Sequence, residues 1–214
     1  MPDATAPAPQ PSHTSDPAWG PDHDRWLSPW LAELRAACLG GPVLELGCDT
    51  GGNTAWLCDQ GLDVVAGDIA PDALRRCAQA APAACLLQLD LRQPLPFGDA
   101  AFGAVIASLC LHYFDWATTE RSVAEVRRCL RPGGLLLARL NATGDVLHGA
   151  AGHEEIEPNF YRVNARYAET KRFFDEPDLD RLFAAGWSPV SRRLTTIHRY
   201  REPKVAWEII LRRT

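Results

Sequence analysis

Three acidic residues stand at or near the ends of short apolar runs, and a glycine-rich turn follows the first. Glu45 lies in the first run and is followed by Gly47 and Gly51, whereas Asp68 and Asp90 close the second and third runs. Glycine lets backbone approach a ligand closely because it has no Cβ. A strand, a tight turn and a helix in that order direct backbone N–H groups at a ligand. The pattern predicts a site for a nucleoside-like ligand, and the Glu45 carboxylate favours one that carries positive charge.

The elements that must position these acids alternate between apolar runs and helical patterns. Strands are predicted at residues 42–46, 62–67, 84–89, 104–109, 135–140, 190–197 and 205–211, and helices at 54–60, 71–80, 118–130 and 175–185. An earlier helix is expected to begin with Ser28 as its N-cap and Pro29 at its first position. This alternation is typical of an α/β domain with a parallel sheet. Ligands bind beyond the carboxyl ends of such strands, so the three acids should face one crevice.

Composition indicates one domain with a short tail. Residues 1–21 are rich in Pro, Ala, Ser and Thr without apolar periodicity, which predicts a disordered tail before a single domain at residues 22–214. The tail lacks the basic and apolar regions of a secretory signal. The link between the last two predicted strands is too short for a crossover, so the last strand should run antiparallel to its neighbour.

Charge and cysteine usage exclude several function classes. The net charge of −5 gives no general reason to expect nucleic acid or an anionic membrane as a partner. No apolar run is long enough to span a bilayer. The seven cysteines form no C-x-x-C pair, and their number is odd, so neither disulfides nor a metal site is expected and a reducing cytoplasm fits best. The oligomeric state remains open.

Four segments in succession resemble the motifs of the class I S-adenosylmethionine-dependent methyltransferases, in particular their small-molecule members of the methyltransferase type 11/12 kind. Residues 45–51 (ELGCDTG) are similar to that family's E/D-x-G-x-G-x-G loop, and residues 64–71 (VVAGDIAP) to its second motif. Residues 89–91 (LDL) resemble the third motif, and residues 125–134 the helix and turn before the fifth strand. The resemblance runs from about residue 43 to residue 140.

The resemblance implies a Rossmann-like sheet of seven strands, mostly parallel with an antiparallel last strand, and helices on both faces. It implies S-adenosyl-L-methionine as cofactor and methyl transfer to a small-molecule acceptor by in-line displacement. Asp68 would hold the ribose hydroxyls, the Asp90 carboxylate would meet the adenine amine, and the Leu91 N–H a ring nitrogen. The other cofactor-binding residues implied are Glu45, Gly47, Cys48, Asp49, Gly51, Asn53, Thr54, Ile69 and Ser108.

Two residues depart from the family's pattern. Asp49 occupies the position of the loop's middle glycine. Aspartate tolerates left-handed backbone better than most residues, so the turn can survive, but its carboxylate would repel the cofactor's own. Gly103 stands where many relatives carry an aspartate at the start of the fourth strand, a structural position.

The acceptor site is expected beyond the fourth strand. Residues 108–116 (SLCLHYFDW) contain no N-P-P-Y signature, which disfavours enzymes that methylate amino groups of adenine or glutamine. His112 and Tyr113 lie where the methyl group should emerge and are the catalytic candidates, although His112 is equally well explained as packing against the next helix. Residues 141–172 show no period and are expected to form a substrate lid. The substrate-binding candidates are Trp30, His112, Tyr161, Arg162 and Lys171.

Three of the substrate-binding candidates also have a purely structural explanation, and two rival functions stay open. Arg162 and Lys171 are placed to pair with nearby glutamates, and helix packing is the simpler explanation for Trp30. An NAD-type oxidoreductase has a similar sheet, but its loop needs G-x-G-x-x-G, and Asp49 breaks that pattern. A catalytically silent S-adenosyl-binding protein is the other rival, and Asp49 is the residue that favours it.

Overall fold

The computed structural model describes residues 25–165, 168–198 and 200–214, so the tail predicted at residues 1–21 lies outside the described residues. Ten strands are found in these ranges: β1 Val43–Leu46, β2 Val64–Asp68, β3 Cys85–Gln88, β4 Phe102–Ser108, β5 Leu130–Asn141, β6 Glu154–Glu157, β7 Phe160–Ala165, β8 Ala168–Arg172, β9 Trp187–Ile197 and β10 Lys204–Arg213.

The same ranges contain five α-helices: α1 Leu31–Ala37, α2 Gly52–Asp59, α3 Pro71–Ala80, α4 Trp116–Cys129 and α5 Glu176–Leu182. Helix α3 has the predicted bounds. The prediction of Ser28 as an N-cap is wrong, because Ser28 lies inside a 3-10 helix, Ser28–Trp30, and its hydroxyl donates backwards to the Arg25 carbonyl. Asp175 caps α5 as predicted. None of the described helices has the length and apolar character needed to cross a bilayer.

Seven strands form one sheet in the order β3-β2-β1-β4-β5-β10-β9. Strands β1 to β5 pair in parallel, and β10 runs antiparallel to both β5 and β9. The predicted Rossmann-like, mostly parallel sheet with an antiparallel last strand is therefore confirmed. Strand β5 begins five residues earlier than predicted, since Leu130 pairs with Phe102 before the register shifts and pairing resumes at Leu135.

Both faces of this sheet are covered, and alternate residues of each strand face opposite sides. On one side, Leu44 and Val105 pack with the buried residues of α4 and α5. On the other side, Val43, Ala104 and Ile106 pack with buried residues of α1, α2 and α3. Burial on both faces explains why these strands read as continuous apolar runs rather than as alternating ones.

The segment predicted to be an irregular lid contains a small antiparallel sheet instead. Strands β6, β7 and β8 pair in that order, and both pairings contain register shifts. The prediction of a stretch without structure of its own is wrong, because those shifts disrupt the two-residue period that a strand shows in sequence. The Arg172 N–H donates to the His112 carbonyl (2.7 Å) and the Phe174 N–H to the Asn141 carbonyl (2.9 Å), which fastens the sheet to the main body.

A buried cluster of charged side chains joins β10 to both of its neighbours in the sheet and to the segment before α1. Glu208 on β10 is 1 % exposed, and its carboxylate accepts hydrogen bonds from Arg139 on β5 and Arg193 on β9. The Arg139 guanidinium also lies 4.5 Å from the ring centre of Trp26, in the segment before α1. Strands β5, β10 and β9 and the segment before α1 are therefore joined by one charged cluster.

We expect Glu208→Ala to lower the free energy of unfolding by about 3–5 kcal/mol, because it removes the buried carboxylate that Arg139 and Arg193 share. Urea denaturation measures the loss. The control is Asp180→Ala, which removes the exposed partner of Arg192 and should change stability by less than about 1 kcal/mol. Similar losses of unfolding free energy in the two variants would show that the buried pair contributes no more to stability than the exposed one.

Candidate functional site

The turn after β1 is built from three residues in left-handed backbone. Gly47, Asp49 and Gly51 have φ angles of 68°, 47° and 86°. Asp49 therefore keeps the backbone conformation that a glycine would adopt at that position, as its residue type allows. Gly47 is required for a second reason: a Cβ built on it would lie 2.6 Å from the Cβ of Cys110. The turn thus presses directly against the segment that follows β4.

The backbone N–H groups of this turn are mostly used within the protein. The N–H groups of Gly47 and Cys48 both donate to the Gly67 carbonyl, and that of Gly51 donates to the Cys48 carbonyl. The Asp49 N–H donates to the Asp68 carboxylate at 3.0 Å. The expectation that the turn presents free N–H groups to a ligand is therefore wrong for these four. A turn of this kind is poorly suited to cradle a pyrophosphate.

Glu45 lies behind the turn rather than on its surface. It is 1 % exposed, and its carboxylate accepts hydrogen bonds from Asn53 Nδ2 (3.1 Å) and from the Thr54 hydroxyl, both in α2. Burial raises its pKa to about 7, against the opposing effect of those two donors. Asn53 is held in turn by Trp26, whose indole N–H donates to Asn53 Oδ1 at 3.2 Å. This arrangement favours a role for Glu45 in fixing the start of α2, and its contact with a ligand ammonium stays a prediction.

Asp68 is the last residue of β2, as predicted. One carboxylate oxygen accepts from the Asp49 N–H and the other from the Ala70 N–H at 2.9 Å. The neighbouring Ile69 is 51 % exposed, so an apolar side chain stands open to solvent directly beside this carboxylate. A carboxylate next to an exposed apolar side chain can bind ribose hydroxyls and the face of a base together.

Asp90 follows β3 and is held by Arg92. The Arg92 guanidinium contacts both carboxylate oxygens, at 2.8 Å for the closest pair, and lowers the pKa of Asp90. Arg92 is exposed, so this is a surface ion pair that a ligand can replace at little cost. Leu91 is half-buried, and its carbonyl accepts from the Ser122 hydroxyl of α4 at 2.7 Å. That bond fixes the backbone on which the predicted Leu91 N–H contact depends.

The end of β4 combines an unpartnered hydroxyl with backbone strain. The Ser108 Oγ is buried, and no hydrogen-bond partner for it is found in the described residues. Leu109 follows with φ of 58°, an unfavourable angle for a residue with a branched side chain. Strained backbone of this kind is concentrated at functional sites. The left-handed backbone at Leu109 turns the chain into the segment that contains Cys110, His112 and Tyr113.

The two catalytic candidates lie together at this end of the sheet. The rings of His112 and Tyr113 have centres 4.4 Å apart. His112 is 2 % exposed, and no hydrogen-bond partner for its Nδ1 atom is found in the described part of the chain. Burial, followed by the charges of Lys204 and Lys171, holds the pKa of His112 well below its usual value, so the ring is neutral near pH 7. Burial also raises the pKa of Tyr113, which keeps its hydroxyl protonated.

The substrate-binding candidates fall into different surroundings. Lys171 on β8 is half-buried, donates to the His148 carbonyl at 3.2 Å and pairs across the small sheet with Tyr161. Arg162 is exposed and forms a salt bridge with Glu154 at 2.9 Å. Pairing with a nearby glutamate was the alternative to its role in substrate binding. Trp30 is half-buried against the core between the main sheet and α1 to α3. Lys171 directly precedes Arg172, whose N–H donates to the carbonyl of the catalytic candidate His112.

Sequence reasoning missed several residues that shape the site. Trp26 holds Asn53 and stacks on Arg139, and no motif in the sequence marks either contact. Nothing in the sequence signals the strain at Leu109 or the contact between Gly47 and Cys110. Arg172 is buried and bound to Glu157, a partner 15 residues away that no local pattern identifies.

Comparison with known proteins agrees with this geometry. Residues 44–138 match the family model described as a methyltransferase domain. An uncharacterized methyltransferase of Mycobacterium bovis is 36 % identical over 120 residues, which are 56 % of this chain and 44 % of that protein. The 23S rRNA (guanine(748)-N(1))-methyltransferase of Streptomyces fradiae is 30 % identical over 171 residues, 71 % of this chain and 58 % of that protein.

A solved structure shares the fold. The 1,6-didemethyltoxoflavin-N1-methyltransferase of Burkholderia thailandensis superposes with a TM-score of 0.63 at 24 % identity, covering 88 % of this chain and 78 % of that one. The chain spans about half the length of the two curated relatives, 44 % of one and 58 % of the other. The matched family model and the four motifs agree, and the fold is the same: residues 44–138 of this chain form a class I S-adenosylmethionine-dependent methyltransferase domain.

Proposed function

We propose that this protein transfers a methyl group from S-adenosyl-L-methionine to a small-molecule acceptor. The observation that carries the proposal is the Asp68 carboxylate, held at the end of β2 by the Asp49 and Ala70 N–H groups, with the exposed Ile69 beside it. The cofactor supplies a methyl group on a sulfonium, which is already activated for transfer. The protein's own task is to align the partners and exclude water.

The residues at the crevice fit this cofactor. Asp68 is suited to hold the ribose hydroxyls, Ile69 to cover the adenine, and Asp90 with Leu91 to bind its edge once Arg92 moves aside. The turn that contains Gly47, Cys48, Asp49 and Gly51 would lie along the methionine portion of the cofactor, backed by Glu45, Asn53 and Thr54. The unpartnered Ser108 hydroxyl is a further polar group for that portion. Four N–H groups of the turn are already hydrogen-bonded within the protein, so the turn is poorly suited to bind a dinucleotide pyrophosphate. This argues against an NAD-type oxidoreductase.

A small-molecule acceptor is favoured over a nucleic acid by the surroundings of His112. The backbone of β8 joins that of the His112–Tyr113 segment, and the small sheet β6-β7-β8 is the proposed lid over the acceptor. The net charge of −5 is unfavourable for a polynucleotide. The Burkholderia neighbour, by its title, binds a small heterocyclic acceptor, whereas the Streptomyces relative is named for an rRNA base. The seven free cysteines support the cytoplasmic location that we propose with this function.

His112 and Tyr113 are the proposed catalytic residues. A neutral, buried imidazole with an unpartnered Nδ1 is able to orient an acceptor or to take its proton as the new bond forms. Tyr113 would act through its protonated hydroxyl as a donor. A base is needed only for an acceptor that is protonated at neutral pH.

Calorimetry with S-adenosylmethionine, S-adenosylhomocysteine and NAD, followed by turnover with an acceptor panel of phenols, amines, thiols and short RNA hairpins, tests the proposal. We expect saturable binding of both S-adenosyl compounds, no binding of NAD, and methylation of a small molecule. Binding of NAD alone would overturn the family function. Binding without turnover of any acceptor would favour the silent alternative, and methylation confined to RNA would overturn the acceptor class.

We expect Asp68→Ala to weaken S-adenosylhomocysteine binding at least about tenfold, since a carboxylate that accepts two ribose hydroxyls contributes more than about 1.4 kcal/mol. Calorimetry measures the dissociation constant. Asp63→Ala is the matched control, because Asp63 is exposed and precedes the opposite, amino end of the same strand. Equal affinities in the two variants would show that the ribose assignment is wrong.

For Asp49→Gly we expect tighter cofactor binding, because the exposed carboxylate is removed while glycine keeps the left-handed φ of 47°. Asp49→Asn separates the loss of the charge from the loss of the side chain, since it removes the charge and retains a side chain that tolerates this backbone. Both variants should lose part of the salt dependence of the dissociation constant. Weaker binding in both would mean that Asp49 contacts the cofactor rather than repelling it.

Cofactor binding should release a proton from Glu45. The acid's pKa of about 7 is raised by burial and further by the charges of Asp68 and Asp49, so positive charge arriving at the turn should lower it again. Affinity should therefore rise as the pH increases from 6 through 7. Calorimetry in two buffers of different ionisation enthalpy measures the release. Glu45→Gln should show none, and wild-type heats that are the same in both buffers would contradict the prediction.

A further inference from the structure

The two lysines of this chain occur close together. Lys171 and Lys204 are the only lysines in the sequence, where arginine supplies all the other basic side chains among 22 Lys and Arg. Lys204 Nζ contacts Asp145, and Lys171 Nζ donates to the carbonyl of His148, three residues further along the chain. Both lie near enough to His112 for their charges to lower its pKa. The chain thus uses lysine only next to the proposed acceptor site.

Lys204 is neutralised by a dedicated acid. It is buried, and its amine contacts Asp145 Oδ2 at 2.8 Å. The other oxygen, Asp145 Oδ1, accepts from the Val205 N–H at 3.1 Å. This pair fastens the start of β10 to the loop after β5, which is a structural role.

No acid among the described residues forms a salt bridge with Lys171, although the charge of Asp145 acts on its amine. The other cations that the described residues bury, Arg139, Arg172 and Lys204, each form a salt bridge, with Glu208, Glu157 and Asp145 respectively. For Lys171, which is half-buried, the described residues provide no salt bridge, only the His148 carbonyl. An ammonium has three donors, so two remain for a ligand.

Lys171 lies on the strand of the small sheet that contacts the His112 segment. Residues 171 and 172 face opposite sides of β8: Arg172 contacts Glu157 and the Pro158 carbonyl, whereas Lys171 faces His148. The backbone of β8 joins that of His112, since the Arg172 N–H donates to the His112 carbonyl. The charge of Lys171 acts on the buried His112 ring, whose Nδ1 has no partner in the described part of the chain. A charged donor and an unsatisfied ring nitrogen therefore belong to neighbouring segments joined by a backbone hydrogen bond.

We propose that Lys171 is an anion-binding subsite of the acceptor pocket, and that the acceptor carries a carboxylate. The inference rests on the proposed function, because it names the class of acceptor that the enzyme methylates. A carboxylate on the acceptor would give Lys171 an acidic partner. The buried cations already have such partners among the chain's own side chains. The acceptor's carboxylate would also offset the charge that disfavours an imidazolium at His112, so that binding of the acceptor makes this ring a stronger base. Lys204, which is paired with Asp145, is the other charged group shown to act on the ring.

The two lysines make a direct measurement possible in the intact protein. Labelling with [ε-13C]lysine gives two resonances, assigned with Lys171→Arg. Benzoate is the probe, benzamide its neutral match and sodium chloride the control for ionic strength, all with saturating S-adenosylhomocysteine. We expect benzoate to shift the Lys171 resonance saturably and to raise the pKa of that amine by about one unit. The Lys204 resonance should stay in place, and benzamide and chloride should leave both unmoved.

Binding of S-adenosylhomocysteine in the same sample tests the proposed function separately. If the cofactor product binds and benzoate leaves Lys171 unmoved, the subsite is wrong and the cofactor function stands. An equal shift with benzamide would also overturn the subsite, because charge would play no part. In Lys171→Met, benzoate binding should fall at least about tenfold, whereas Arg35→Met, which alters an exposed cation on α1, should bind benzoate as the wild type does. A Lys171→Met variant that binds benzoate unchanged would contradict the proposal, and Lys171→Arg provides the folded comparison if the methionine variant is unstable.

Discussion

The buried carboxylate of Glu45 is the constraint on which the rest of the site depends. A carboxylate that is 1 % exposed at the end of β1 needs donors, and α2 provides them through Asn53 and Thr54. Those bonds fix where α2 begins and therefore the course of the turn between residues 46 and 52. Trp26 extends the constraint, since it holds Asn53 and stacks on Arg139, which is bound to Glu208. The cofactor turn is in this way connected to β5, β9 and β10.

Much of the framework could be predicted from the sequence because it follows from local chemistry. Apolar runs that end in Asp68 and Asp90 mark strands, and Pro71 marks the start of α3 to the residue. The antiparallel direction of β10 follows from the shortness of its connection to β9. The left-handed backbone of Asp49 was likewise predictable, since aspartate is one of the few residues that tolerates it.

The rest could not be predicted, because it depends on contacts between distant segments. The small sheet β6-β7-β8 was missed, since its register shifts interrupt the alternation that reveals a strand. Whether Glu45 faces the ligand or lies behind the turn depends on Asn53 and Trp26, which are 8 and 27 residues from their partners in this chain of hydrogen bonds. Arg162 and Lys171 look alike in the sequence, but Arg162 forms a salt bridge with an exposed glutamate, whereas Lys171 forms none with any residue that the structure describes.

The contact between Gly47 and Cys110 has a consequence for how such a protein can diversify. A Cβ on residue 47 would collide with the Cβ that every residue except glycine carries at position 110. The two positions therefore constrain each other whatever the side chain beyond Cβ. Residue 47 must therefore stay glycine, whereas position 110 accepts other side chains as long as they extend away from the turn. Sequence variation that accompanies a change of acceptor is accordingly expected on the side of residue 110, in the segment of His112 and Tyr113 or in the small sheet, and not in the turn.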